Sequence, residues 1–170
     1  VRLDRPFNQH ENEEPECVPD TEKLKAGIWV SYSPDLVFWG KHRPLIYPEA
    51  IPNYANWKMG PTPPIKTKDG WLEIIHGVYK ENGEFCYSIG AMLLDLENPQ
   101  KIIGVTRDWI LTPTEPYETN GRVDNVVFPC GAIADIETDT IRIYYGAADT
   151  CIGLATGKLS ELIAACKNGI

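Results

Sequence analysis

The chain advances in short apolar bursts, each cut off within a few residues by proline, glycine or a charged residue. The bursts are rich in Ile, Val, Tyr and Trp. That punctuation and side-chain content predict strands and turns. The expected strands are Gly27–Ser33, Trp71–Val78, Tyr87–Leu94, Ile102–Leu111, Val126–Asp135, Thr140–Gly146 and Cys151–Thr156. Only Leu159–Lys167 looks helical, with Ser160 as the candidate cap. The stretch Glu11-Asn12-Glu13-Glu14-Pro15-Glu16 reads as a solvated loop.

Stacking the strands against one another exposes an internal repeat. Trp71-Leu72-Glu73-Ile74-Ile75-His76-Gly77-Val78 resembles Thr140-Ile141-Arg142-Ile143-Tyr144-Tyr145-Gly146-Ala147, which sets His76 opposite Tyr145 and Gly77 opposite Gly146. Each is followed by a second related strand, Tyr87-Ser88-Ile89-Gly90-Ala91 and Thr150-Cys151-Ile152-Gly153-Leu154, and Ile28-Trp29-Val30-Ser31-Tyr32-Ser33 is a third copy. Trp29 and Ile89 lie 60 residues apart, and Ile89 and Ile152 lie 63 apart. Such offsets fit the blades of an all-β propeller. A ring takes about four to eight blades, and at about 60 residues per blade this chain holds fewer than three. The expectation is therefore the C-terminal part of a larger single domain, with coverage of the open edge by another chain, a homo-oligomer included, as the alternative.

Composition narrows the partners. The 170 residues carry 16 Lys and Arg against 24 Asp and Glu, a net charge of −8. That argues against nucleic acid or an anionic membrane surface, so any bound anion must rely on a few local cations. No apolar run approaches the roughly 18 residues of a membrane helix, and Val1-Arg2-Leu3-Asp4 is not a signal peptide. The five cysteines are odd in number and form no CxxC pair, which points to reduced thiols in a cytoplasmic protein. His10, near Glu11, Glu13, Glu14 and Cys17, lacks a metal-ligand spacing, and no metal or cofactor is expected.

Candidate chemistry lies where polar residues interrupt apolar strands. His76, between Ile74-Ile75 and Gly77-Val78, is either a ligand-binding residue or a core histidine bonded to a backbone carbonyl. Lys58 precedes the stiff turn Gly60-Pro61-Thr62-Pro63-Pro64, which suits a binding loop or an ordinary connector. Asp149, after Tyr144 and Tyr145, suits a sugar or caps a turn. Carboxylates accept hydrogen bonds from paired hydroxyls, and aromatic faces cover the C–H side of a sugar ring. In Asp124-Asn125-Val126-Val127-Phe128 the turn-to-strand reading is favoured.

Taken in order, Ser31-Tyr32-Ser33-Pro34-Asp35-Leu36, Trp39-Gly40-Lys41-His42-Arg43-Pro44-Leu45, Lys58-Met59-Gly60 through Pro63-Pro64-Ile65-Lys66-Thr67, Gly70-Trp71-Leu72 to His76-Gly77-Val78, Asn125-Val126-Val127-Phe128-Pro129 and Ile143 to Asp149 resemble glycoside hydrolase family 130. The resemblance spans nearly the whole chain. It implies a five-bladed β-propeller of which residues 1–170 form roughly the C-terminal two to three blades. It also implies reversible, inverting phosphorolysis of β-1,4-mannosides to α-mannose 1-phosphate, with inorganic phosphate as co-substrate. Arg5, Lys58 and His76 match the phosphate-binding positions, Asp149 the mannose-binding aspartate, and Tyr87 and Phe128 the walls of the acceptor-sugar subsite. Asp4 stands where a histidine is common and Asp124 where proline is. The family's proton-donor aspartate has no counterpart here and is expected upstream of Val1.

The implied roles are chemically coherent. An inverting hydrolase needs two carboxylates, one to protonate the leaving group and one to activate water. Phosphate already carries its nucleophilic oxygen and needs cations to hold it, and protonation of His76 would strengthen that hold. A hydrolase of the same fold and a non-catalytic sugar-binding propeller segment are the alternative readings.

Overall fold

The computed structural model describes residues 1–5 and 26–169, and the Glu-rich stretch and the His10 to Cys17 cluster lie outside them. Three antiparallel sheets stack face to face. The first holds β1 (Arg2–Asp4), β2 (Ile28–Tyr32) and β3 (Gly40–Ile46), with β2 in the middle. The second holds β4 (Lys58–Pro61), β5 (Ile65–Lys66), β6 (Trp71–Glu81), β7 (Glu84–Leu94) and β8 (Ile102–Val105). The third holds β9 (Val127–Asp135), β10 (Thr140–Ala147) and β11 (Cys151–Lys158), with β10 in the middle. A four-residue helix, α1 (Pro116–Thr119), lies between the second and third sheets in sequence, and α2 (Leu159–Gly169) follows β11.

The central hairpin organises the rest. β6 and β7 run in uninterrupted register from Trp71↔Leu94 to Glu81↔Glu84. They are joined by Asn82-Gly83, both at positive φ (52° and 87°), the two-residue turn whose twist matches a hairpin. Successive side chains in a strand point to opposite faces. One face of this hairpin presents Ile75, Met92 and Leu94 to Ile28, Ile46, Tyr54 and Met59 on the side of the first sheet. The other presents Leu72, Ile74, Ile89, Ala91 and Leu93 to Val127, Ile141, Ile143 and Ala147, with Leu159, Leu162, Ile163 and Cys166 of α2 closing that core. Burial on both faces explains why β6 and β7 read as near-continuous apolar runs. This is the blade stacking expected of a propeller.

Several elements differ from the sequence reading, each for a local reason. The strand expected over Ile102–Leu111 stops at Val105, because the Thr106 hydroxyl takes the Ala91 amide (3.1 Å), and only Leu111 returns to bridge Ile89. Ser160 is not the cap of α2. The cap is Asp139, in the β9–β10 turn, whose carboxylate accepts from the Ser160 amide (2.8 Å) and hydroxyl (2.6 Å). Strands β1, β3, β4 and β5 were not foreseen, because β3 is an exposed edge carrying Lys41, His42, Arg43 and Pro44, and prolines break up β4 and β5. Among the described residues no helix is long and apolar enough to cross a membrane. Cys86, Cys130, Cys151 and Cys166 are free thiols.

Candidate functional site

Register gathers the side chains that the sequence kept apart. Lys58 on β4 pairs with Val78 on β6, which pairs with Tyr87 on β7, so all three share the sheet face that looks toward the third sheet. His76, two residues before Val78, shares that face. Its ladder neighbours are Gly60 and Ile89. The glycine is required there: a Cβ at Gly60 would lie 2.5 Å from His76 Cε1. The His76 ring sits 4.4 Å from the Phe128 ring at a 37° tilt and 6.3 Å from Tyr87 at 27°, and Lys58 Nζ lies 5.4 Å from the Tyr87 centroid. Lys58, His76, Tyr87 and Phe128 therefore form one cluster, here called the recess, on the face of the second sheet that looks toward the third.

Electrostatics ties Arg5 to the same recess. His76 is 5% exposed, and burial pushes its pKa down to about 3, with the charges of Arg5 and Lys58 acting in the same direction. Both cations thus stand close enough to repel a proton on the ring. The imidazole is neutral near pH 7 in the protein without a bound anion. Its Nδ1 is buried and has no hydrogen-bond partner among the described residues, so His76 is not the core histidine tied to a backbone carbonyl. Buried polar atoms are nearly always satisfied. An orphan beside two cations is a place for an anion.

Asp149 occupies the β10–β11 turn, where it and Ala148 both take positive φ (49° and 45°). Its carboxylate is exposed, and among the described residues no hydrogen bond or ion pair is seen between it and Lys58, His76 or Tyr87. Register nevertheless sets this turn beside the start of β9: Gly146 pairs with Phe128, Ala147 with Val127, and the Ala148 amide bonds the Val126 carbonyl (3.0 Å). Asp124 caps a turn, accepting from the Gly121 amide (3.0 Å), and Asp4 accepts from Arg2 and Ser31 (3.2 Å each).

Two buried acids escaped the sequence reading. Glu118 in α1 accepts from the Tyr145 hydroxyl (2.7 Å) and the amides of Thr114 (2.9 Å) and Glu115 (3.0 Å). Burial alone would raise its pKa, but these donors outweigh it and hold the carboxyl below the usual range. The Glu118 carbonyl takes the Val126 amide (3.0 Å) and the Asn125 carbonyl takes the Tyr87 amide (2.9 Å), so α1 fixes the approach to Phe128. Pro116 at the first helical position and Glu118 two residues later were the legible signal of this capped turn. Glu73 faces the opposite core. It is fully buried, neither carboxyl oxygen has a partner among the described residues, and burial lifts its pKa to about 9.

The family model described as beta-1,4-mannooligosaccharide phosphorylase matches residues 19–168. The chain belongs to glycoside hydrolase family 130. Relatives within the family include the beta-1,4-mannooligosaccharide phosphorylase of Ruminococcus albus, 38% identical over 137 residues, covering 80% of this chain and 40% of the relative. The 1,2-beta-oligomannan phosphorylase of a Thermoanaerobacter species is 42% identical over 139 residues, covering 79% of this chain and 44% of the relative. Among solved structures, the beta-1,2-mannobiose phosphorylase of Listeria innocua, in complex with beta-1,2-mannobiose, superposes with a TM-score of 0.80 at 37% identity, covering 97% of this chain and 42% of that one. The family 130 chain described here thus spans about two fifths of the length of these relatives.

Proposed function

We propose that these residues belong to a mannoside phosphorylase and supply its phosphate pocket and part of its sugar site. The observation that carries this reading is the cluster itself, in which a histidine with an orphaned buried nitrogen packs beside two aromatic rings and feels the charges of Arg5 and Lys58. Phosphate held by Arg5, Lys58 and His76 attacks the anomeric carbon from the face opposite the leaving sugar. The glycosidic C–O bond breaks as the P–O–C bond forms, an acid protonates the departing oxygen, and inversion gives α-mannose 1-phosphate. Tyr87 and Phe128 flank the acceptor sugar, and Asp149 binds hydroxyls of the mannose. We assign the acid to no residue of this chain.

The cations serve this chemistry because phosphate needs charge neutralisation rather than deprotonation. A bound dianion also reverses the balance at His76: negative charge favours the imidazolium, so binding raises its pKa and draws a proton toward the ring. Relatives named for β-1,4 and for β-1,2 linkages match to similar extents, so the support extends to β-mannosides as a class, with the β-1,4 linkage one of two. Free thiols fit a reducing cytoplasm.

Phosphate titration of wild type, Lys58→Ala and His76→Ala tests the pocket. Loss of the lysine removes a charge-assisted contact worth roughly 1.5–3 kcal/mol, a drop in phosphate affinity of about tenfold or more, with mannose affinity retained. Cleavage of a β-mannoside should require inorganic phosphate, and sulfate should inhibit it. Equal release of free mannose in phosphate-free buffer would replace this reading with the hydrolase.

A further inference from the structure

Beyond Tyr87 the same sheet face continues to the tip of the β6–β7 hairpin. Lys80 lies two residues past Val78 on β6 and pairs with Phe85, two residues before Tyr87 on β7. Two residues along a strand is roughly 7 Å, so the tip lies one pleat repeat beyond Tyr87 on the same face. At that tip Trp57 and Phe85 stand 6.3 Å apart at 59°, with Lys80 Nζ 4.2 Å from the indole and 5.2 Å from the phenyl ring. Trp57 is 42% exposed and Phe85 37%, so large apolar faces meet solvent. Trp57 is also the residue immediately before Lys58, which makes the patch continuous with the recess.

The patch is held in place. Asn56 Nδ2 donates to the Lys80 carbonyl (3.0 Å), Asn56 Oδ1 accepts from the Lys80 amide (2.7 Å), and the Asn56 and Trp57 amides both bond the Val78 carbonyl (3.2 and 3.1 Å). These bonds fix the backbone that carries the indole, so less freedom remains to be lost when the ring is covered. The Lys80 ammonium lies over both rings, and the ring surface it leaves open, with that donor close by, matches a pyranose, which offers C–H groups to the rings and hydroxyls to the ammonium's surroundings.

We propose that Trp57, Phe85 and Lys80 form an outer sugar subsite that receives the next residue of a β-linked mannoside chain beyond the acceptor sugar. This rests on the phosphorylase reading and deepens it: the site is built for chains of three or more sugars. The test is affinity and phosphorolysis measured with mannobiose, mannotriose and mannotetraose of both β-1,4 and β-1,2 linkage, on wild type, Trp57→Ala, Phe85→Ala and Trp57→Phe. In the linkage series that binds, the trisaccharide should be preferred to the disaccharide. Either alanine variant should cut that preference roughly three- to tenfold, Trp57→Phe should restore much of it, and disaccharide and phosphate affinities should hold. Should Trp57→Ala fail to fold, Phe85→Ala and Trp57→Phe carry the comparison. Indifference of the wild type to chain length, or equal losses for di- and trisaccharide, overturns the subsite while leaving the phosphorylase reading standing. A change in sedimentation without any change in sugar binding marks the patch as a protein contact and also overturns it. If no mannoside of any length binds, both readings fall together.

Discussion

His76 and Glu73 sit three residues apart on one strand, face opposite cores, and are both held uncharged by burial. Their effects on stability run in opposite directions. The folded pKa of His76 is depressed from 6.5 to about 3, so the folded protein binds fewer protons than the unfolded chain in that window and stability falls as pH drops through it. The folded pKa of Glu73 is raised from 4.5 to about 9, so stability is greatest below pH 4.5 and is lost as pH rises toward 9. Between 4.5 and 6.5 the two slopes oppose each other, and above 6.5 Glu73 acts alone. Glu73→Leu should therefore flatten the decline of unfolding free energy between pH 7 and 9, by up to about 1.4 kcal/mol per pH unit. Denaturant melts at four pH values measure this, and parallel curves for the two proteins would mean that Glu73 titrates normally.

Among elements, α2 shows how a distant turn decides where a helix begins. Leu159, Leu162, Ile163 and Cys166 close the core between the second and third sheets, so fraying at the start of α2 opens that core. Asp139 meets the first turn with both carboxylate oxygens, and its carbonyl takes the Leu159 amide (3.1 Å). Asp139→Ala should cost about 0.5–2 kcal/mol, read as a lower denaturant midpoint at unchanged slope, whereas Ser160→Ala should cost less. The helix itself was legible from its spacing, but its cap was not, because the carboxylate comes from 20 residues earlier in the chain. Long strands buried on both faces were legible for the complementary reason: their composition is uniform. Edge strands such as β3 were not, since an exposed strand has no apolar signature. At the site, Lys58 and His76 were visible as polar residues against apolar or stiff surroundings, and Tyr87 and Phe128 only through family resemblance. Glu73 and Glu118 were invisible, because burial of an acid is a property of packing.

On the scale of the whole molecule, the two outer sheets end differently. β3 carries Lys41, His42, Arg43 and Pro44, residues that discourage pairing with another strand. The far face of the third sheet instead exposes Ile133, Ile152 and Leu154, with Ile152 80% accessible on β11. An apolar sheet face beside an unpaired strand invites association. A polypeptide of residues 1–170 should therefore self-associate in light scattering, and Ile152→Lys with Leu154→Lys should reduce that association without lowering the melting temperature. A well-dispersed wild-type monomer would refute this. The repeat that produces such faces has a second consequence. In a fold assembled from copies, any recess exists once per copy, and a ligand must be steered away from the spares. Tyr145 stands where His76 stands in its own unit, and Gly153 leaves room for its ring as Gly60 does for the imidazole. Where His76 meets two cations, Tyr145 meets the carboxylate of Glu118. The duplicate position is plugged by a phenol and carries a negative charge, so it turns away the anion that its twin is equipped to receive.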